Sequence, residues 1–215
     1  MPTPVIILAL AYLLGSIPFG FLLVLLFRGE DVRKSGSGNI GATNVSRKSP
    51  ALGALTLILD AAKGFAAVQL AATYMASAQP TTALSRVMAA ASLFAILGHM
   101  FPVWLKFCGG KGVATALGAF LRFVPLAVGV AMIVFVIVVL LWRRISLGSI
   151  ATAALFPATV WSLRLSKDPA VLLLIGVATL LIIARHYNNI LRLLSGEEPL
   201  FSLHRKKDAQ TGPPE

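Results

Sequence analysis

Three short polar stretches interrupt an otherwise apolar chain, and each carries residues suited to holding an anion. The first is Ser35-Gly-Ser-Gly-Asn-Ile-Gly-Ala-Thr-Asn44, followed by Ser46 and Arg47. Glycines at 36, 38 and 41 let backbone amides approach a ligand. Successive amides form an anion nest, and a helix starting just after would add its dipole. Ser35, Ser37, Asn39, Thr43 and Asn44 supply neutral hydrogen-bonding groups, and Arg47 a fixed positive fork. The bland counterpart is a flexible linker, but the density of Gly and Asn exceeds what a linker needs.

The second stretch runs Gly98-His-Met-Phe-Pro102, then Lys106, then Phe107-Cys-Gly-Gly-Lys-Gly-Val-Ala114. Gly109, Gly110 and Gly112 can wrap an anion with Lys111 as the point charge, and Val113 opens a helix. This is not a nucleotide-binding P-loop. Leu105 stands where the first glycine belongs, and Gly112 replaces the magnesium-binding Ser/Thr. The competing reading is a tight interhelical turn with a lysine at the lipid headgroups. His99, followed by Phe101-Pro102, has the character of a turn-organising residue. Nothing marks a base beside Cys108, so packing suits it better than nucleophilic chemistry.

The third stretch is Arg185-His-Tyr-Asn-Asn-Ile190, with Arg192 and Gly196-Glu-Glu198 after it. On one continuous helix Arg185, His186 and Asn189 share a face with Arg192 or Leu193. His186 suits a general base or a donor to phosphate. The alternative is an interfacial helix end with Arg and His as anchors. Two smaller features accompany these. Asp60 and Lys63 lie three apart inside an apolar run, where charges face the bundle and pair; Lys63 either pairs with Asp60 or reaches a site. Ser146 follows Arg143-Arg144 as a helix cap or a substrate contact.

The elements that position these stretches are set by composition. Of 215 residues 57% are hydrophobic and only 13% charged, with a mean hydropathy of +0.85, so lipid must be the solvent for much of the surface. The net charge of +11 would suggest nucleic acid in a soluble protein; here, without aromatic–basic interleaving, it points to cytoplasmic loops and an anionic substrate or membrane surface. A single cysteine excludes an internal disulfide and a cysteine-based metal cage.

Apolar runs cover Val5–Phe27, Ala51–Ala76, Val87–Leu105, Val113–Leu121, Val124–Trp142, Ile145–Leu163 and Ala170–Ala184. Either Val113–Trp142 is one long helix, or a short helix turns at Leu121–Pro125 into a second. The positive-inside rule decides. Seven crossings put 15 of the 19 Lys and Arg inside and leave Arg86, Arg122, Arg164 and Lys167 outside. Six crossings strand Arg122 in mid-membrane. The expectation is therefore an all-α polytopic membrane protein with seven transmembrane helices, N-terminus periplasmic and C-terminus cytoplasmic. Residues 1–202 form a single domain, and residues 203–215 a disordered tail. All three polar stretches then fall on the cytoplasmic side. A transporter would place its site near the midplane between repeated halves, and no repeat is visible.

Taken together, Gly15-Ser-Ile-Pro-Phe-Gly20, the Ser35–Asn44 segment, Leu59-Asp-Ala-Ala-Lys-Gly64, Gly98–Pro102, Gly109–Thr115, and His186 with Asn189-Ile190 and Glu198 resemble the bacterial acyl-phosphate:glycerol-3-phosphate acyltransferases, the PlsY family. The resemblance runs from residue 15 to about 198. It implies a seven-span bundle that moves an acyl group from acyl phosphate to the 1-hydroxyl of glycerol 3-phosphate at the inner membrane, without a metal or organic cofactor. It implies Ser35, Ser37 and Asn39 for the donor phosphate, and Arg47, Lys111, His186 and Asn189 for glycerol 3-phosphate. Asn44, Gly109, Gly110, Gly112, Ser146 and Glu198 complete the implied site. The partners are these two substrates and membrane lipid, with no nucleic acid and no oligomeric state specified. The His-x4-Asp pair of other glycerolipid acyltransferases is absent: Trp104 and Leu191 stand five residues after His99 and His186.

Overall fold

The computed structural model describes residues 4–75 and 81–201. The expected tail from 203 lies outside the described residues. Among these residues ten α-helices form: α1 Pro4–Ser16, α2 Phe19–Arg28, α3 Ala42–Lys48, α4 Pro50–Met75, α5 Thr81–Met100, α6 Val113–Phe123, α7 Pro125–Trp142, α8 Ile145–Ser162, α9 Pro169–Ala184 and α10 Tyr187–Leu194. There is no strand among the described residues.

Among the described residues five stretches are long and apolar enough to cross a bilayer: Pro4–Arg28, Pro50–Met75, Thr82–Leu105, Pro125–Trp142 and Ile145–Ser162. Counted as one span, α9 and α10, bent by 56° at a short break, make a sixth. The shorter apolar helix α6 has 11 residues, about 16 Å at ~1.5 Å per residue, or half the hydrocarbon core. The chain breaks at Val124 and restarts at Pro125, so Val113–Trp142 is two helices. Pro125 is tolerated at the first turn of α7, where its missing N–H is an orphan in any case. Likewise Pro18 divides the first apolar run into α1 and α2.

Glycine sets how closely the central helices pack. Cβ atoms at Gly64 on α4 and Gly118 on α6 would strike the Thr115 and Ala61 carbonyls of the facing helix. Gly15 on α1 and Gly98 on α5 meet Ala95 and Tyr12 in the same reciprocal way. Small residues at crossings let backbones touch where lipid removes the ordinary hydrophobic drive. One apolar cluster joins α1, α4, α5 and α6 through Ile7, Val68, Ala95 and Ala119. A second joins α5 to α9 through Ile96, Phe120, Phe156 and Ile175, with Phe120 and Phe156 rings 4.7 Å apart. A third, of Val24, Val32, Ile40, Val45 and Leu105, seats the Ser35–Asn44 loop against the turn after α5. That small cluster brings the first polar stretch beside the second.

Candidate active site

The Ser35–Asn44 loop is built around one amide. Asn44 is 3% exposed. Its Nδ2 donates to the carbonyls of Val32 (3.2 Å), Ser35 (3.1 Å) and Asn39 (2.8 Å), and its Oδ1 accepts from Ser37 N at 3.0 Å. These four bonds give Asn44 the work of shaping the loop. Asn39 Oδ1 accepts from Gly41 N at 2.7 Å, and Ser35 Oγ donates to Val32 O at 3.2 Å. Ser37, Gly38 and Asn39 line a cleft. The Arg47 guanidinium reaches Gly36 at the loop's edge.

The glycine loop folds back onto the end of α5. Gly109 N donates to Met100 O at 3.1 Å and Gly110 N to His99 O at 3.0 Å. Lys106 and Phe107 take φ of 52° and 62°, a left-handed pair unusual outside glycine, and Gly112 takes 86° where α6 begins. Arg185 ties the third stretch down: its Nε donates to Gly110 O at 3.2 Å and its terminal nitrogen to Gly109 O at 3.0 Å. It also lies 5.4 Å over the Phe101 ring.

The third stretch departs from the expected single helix. α9 ends at Ala184 and α10 begins at Tyr187, so Arg185 and His186 sit in the bend rather than on a common face with Asn189 and Arg192. The buried His186 bonds through Nδ1 to Ile182 O at 2.8 Å; a carbonyl can only accept, so Nδ1 carries the proton and Nε2 the lone pair. After α10, Gly196 at φ 78° turns the chain back, and the Glu197 and Glu198 amides both donate to Arg192 O. The Phe201 amide donates to Arg143 O, which holds this return segment against the α7–α8 turn.

These contacts join a chain of side chains across the site. Lys111 Nζ donates to Asn189 Oδ1 at 2.6 Å, Asn189 Nδ2 donates to Glu198 Oε1 at 2.6 Å, and Arg192 Nε donates to Glu198 Oε2 at 2.8 Å. Burial raises the Glu198 carboxyl, but the Ser146 hydroxyl, Asn189 and Arg192 outweigh it and hold the group below the usual carboxylate range. Ser146 is buried beside it at the start of α8 and has no hydrogen bond of good geometry. Burial pushes the Lys111 ammonium down to about 8; Glu198 opposes this, and Arg192, Arg47 and Arg185 add to it.

The cleft is lined by Ser37, Gly38, Asn39, Gly109, Lys111, Arg185, Asn188, Asn189 and Arg192, and holds about 210 Å³. All three polar stretches contribute. Its volume lies below the ~300 Å³ at which drug-sized pockets begin, so it suits a small polar anion rather than an acyl chain. Gly38, Arg185, Asn188 and Arg192 are members that the sequence reading left out of its site. Their signal was present, since Arg185, Asn188 and Arg192 lie within about a turn of Asn189 and Gly38 lies between Ser37 and Asn39. Gly110 and Gly112 are buried behind the lining. Among the described residues no three His, Cys, Asp or Glu side chains come together to hold a metal.

Residues 5–196 match the family model described as glycerol-3-phosphate acyltransferase. The chain belongs to the glycerol-3-phosphate acyltransferase family. A glycerol-3-phosphate acyltransferase of Syntrophotalea carbinolica is 47% identical over 199 residues, covering 91% of this chain and 96% of that one. Another, from Trichlorobacter lovleyi, is 47% identical over 192 residues, covering 89% and 94%. The fold agrees with a crystal structure of PlsY, an integral membrane glycerol 3-phosphate acyltransferase, in its glycerol 3-phosphate form. That comparison has a TM-score of 0.84 and 37% identity, and covers 94% of this chain and 96% of that one. The lysophosphatidic acid form of PlsY superposes with a TM-score of 0.80 at 35% identity over the same shares. The chain is thus an integral membrane acyltransferase of lipid synthesis.

Proposed function

We propose that this acyltransferase moves an acyl group from acyl phosphate to the 1-hydroxyl of glycerol 3-phosphate, releasing lysophosphatidate and phosphate. The observation that carries the reading is the convergence of two glycine-rich loops and three cations, Lys111, Arg185 and Arg192, on one small cleft. Both substrates bring a phosphate, and the solved PlsY forms hold glycerol 3-phosphate and lysophosphatidic acid. In this reading Ser35, Ser37 and Asn39 face the donor phosphate. Arg47, Lys111 and Asn189 hold the acceptor, with Glu198 and Ser146 behind them. The acyl tail lies in lipid.

Acyl phosphate is a mixed anhydride with a good leaving group, so the protein's task is alignment and positive potential. The hydroxyl oxygen attacks the acyl carbon, the carbon–oxygen bond to phosphate breaks, and the departing phosphate takes the hydroxyl proton. His186 is the alternative base, through Nε2. We prefer the phosphate because His186 is buried and does not line the cleft.

The topology belongs to the same proposal. Seven crossings, with the short α6 as one and a periplasmic N-terminus, put the cleft on the cytoplasmic side of the inner membrane and keep most Lys and Arg inside. Lys63 leaves that tally, since it is buried in α4. The deciding assay incubates purified protein with glycerol 3-phosphate and either acyl phosphate or acyl-CoA. Lysophosphatidate should form rapidly from acyl phosphate and poorly from acyl-CoA. Comparable turnover with both refutes the donor assignment.

A further inference from the structure

Behind the glycine loop, inside the bundle, lies a buried polar group that the transfer chemistry does not use. Asp60 and Lys63 on α4 form an ion pair of 2.7 Å, both about 2% exposed in their side chains. Lys63 Nζ also donates to Ile17 O at 2.6 Å, at the break between α1 and α2. His99, in the last turn of α5, is 3% exposed and sets Nδ1 3.6 Å from Asp60 Oδ1. Neither of those two atoms has a hydrogen bond of full geometry. The other edge of the His99 ring faces the loop. A Cβ built on Gly110 would strike His99 Nε2 first, and Cδ2 and Cε1 next.

We infer that His99 is a positioning residue for Lys111, and that position 110 is glycine because the His99 ring, buried beside Asp60, fills the space of its side chain. Gly110 does not have a positive φ, so alanine is compatible with its backbone. Its nearest obstacles are ring atoms only. Gly109 differs: a Cβ there meets the His99 and Met100 carbonyls and Pro102, which no change of the imidazole moves. The ring thus sets where the Gly110 backbone lies, and the next residue is Lys111. This inference rests on the reading that Lys111 binds a substrate phosphate.

A double-mutant cycle on the full chain tests it, with Gly110→Ala, His99→Ala and the pair, measured as kcat and KM for both phosphate substrates. Each single change should lower kcat/KM by ~10-fold, mostly as a higher KM for a phosphate substrate, because the loop is displaced rather than lost. The pair should lose ~10-fold rather than the ~100-fold product, because the alanine then occupies space the ring has left. Gly109→Ala should not be relieved by His99→Ala. Losses that multiply in the pair, or a silent Gly110→Ala, overturn the inference. So does a fall in kcat at unchanged KM, which reports only less folded enzyme. If Gly110→Ala fails to accumulate in membranes, return of folded protein in the pair reads the same coupling, and failure to return overturns it. Lys111→Ala run alongside separates the two proposals. If it is active, the phosphate reading falls; if it is impaired while the cycle is additive, only the role of His99 falls.

Discussion

Lys111 Nζ donates to Asn189 Oδ1 at 2.6 Å across 78 residues of sequence, joining the glycine loop to the return helix α10. Nδ2 of the same Asn189 amide donates to Glu198 Oε1, so three segments share one polar chain. An arriving phosphate would compete with Asn189 for the ammonium.

Lys111→Ala should lower kcat/KM by at least ~10-fold, because a charge-assisted hydrogen bond contributes ~1.5–3 kcal/mol at 1.4 kcal/mol per decade. The protein should stay folded, since Lys111 lies in a loop. Lys206→Ala is the control and should change little. Steady-state kinetics with detergent-purified protein reads both; wild-type activity in folded Lys111→Ala leaves only the headgroup-anchor role.

The pH dependence follows from the Lys111 ammonium standing at about 8 against an ordinary 10.5. Phosphate binding needs the protonated form, so kcat/KM should fall as pH rises through about 8. Stability should move the other way. Between about 8 and 10.5 the unfolded chain binds more protons than the folded one, so this group's contribution to folding rises with pH. Lys111→Arg should shift the falling limb upward, because a guanidinium keeps its proton. A limb unmoved by that change assigns the titration to another group.

Asn44→Ala leaves several backbone groups of the Ser35–Asn44 loop unpaired. It should destabilise the protein by roughly 1–3 kcal/mol and depress activity through loss of loop shape. Thermal unfolding read beside activity tests this. An unchanged melting temperature with lost activity would instead make Asn44 a direct ligand.

Lys63→Met strands the Asp60 carboxylate inside the bundle and should cost about 3–5 kcal/mol. Lys63→Met with Asp60→Leu should recover much of the loss, since a buried pair replaced by packed apolar groups is often neutral. Thermal unfolding in detergent compares the two. A double variant no more stable than the single one would show a role beyond mutual neutralisation.

Topology is read by accessibility labelling in a Cys108→Ala background. Lys34→Cys and Arg143→Cys should label from the cytoplasmic side and Ser166→Cys from the periplasmic side. Labelling of positions 34 and 143 from opposite faces ends the seven-span proposal.

The sequence by itself determined the solvent, the helical class and the three polar stretches, because apolar run length and Gly, Asn and basic clustering are local properties of a chain in lipid. A break within Leu121–Pro125 was legible from Arg122, Pro125 and the charge balance of the loops, and it falls at Val124. Tertiary structure decided which of those residues face the cleft. Asn44 and Asn39 are the same residue type five positions apart, yet one is buried on backbone carbonyls and the other lines the cleft. The bend at Arg185–His186 was invisible to helical periodicity, since the bend, Arg185's bonds to Gly109 and Gly110 and Glu198's return to Asn189 all depend on partners far along the chain. Likewise Gly110 and His99 are eleven positions apart, and only the fold of the loop back onto α5 lets an imidazole decide what residue 110 can be.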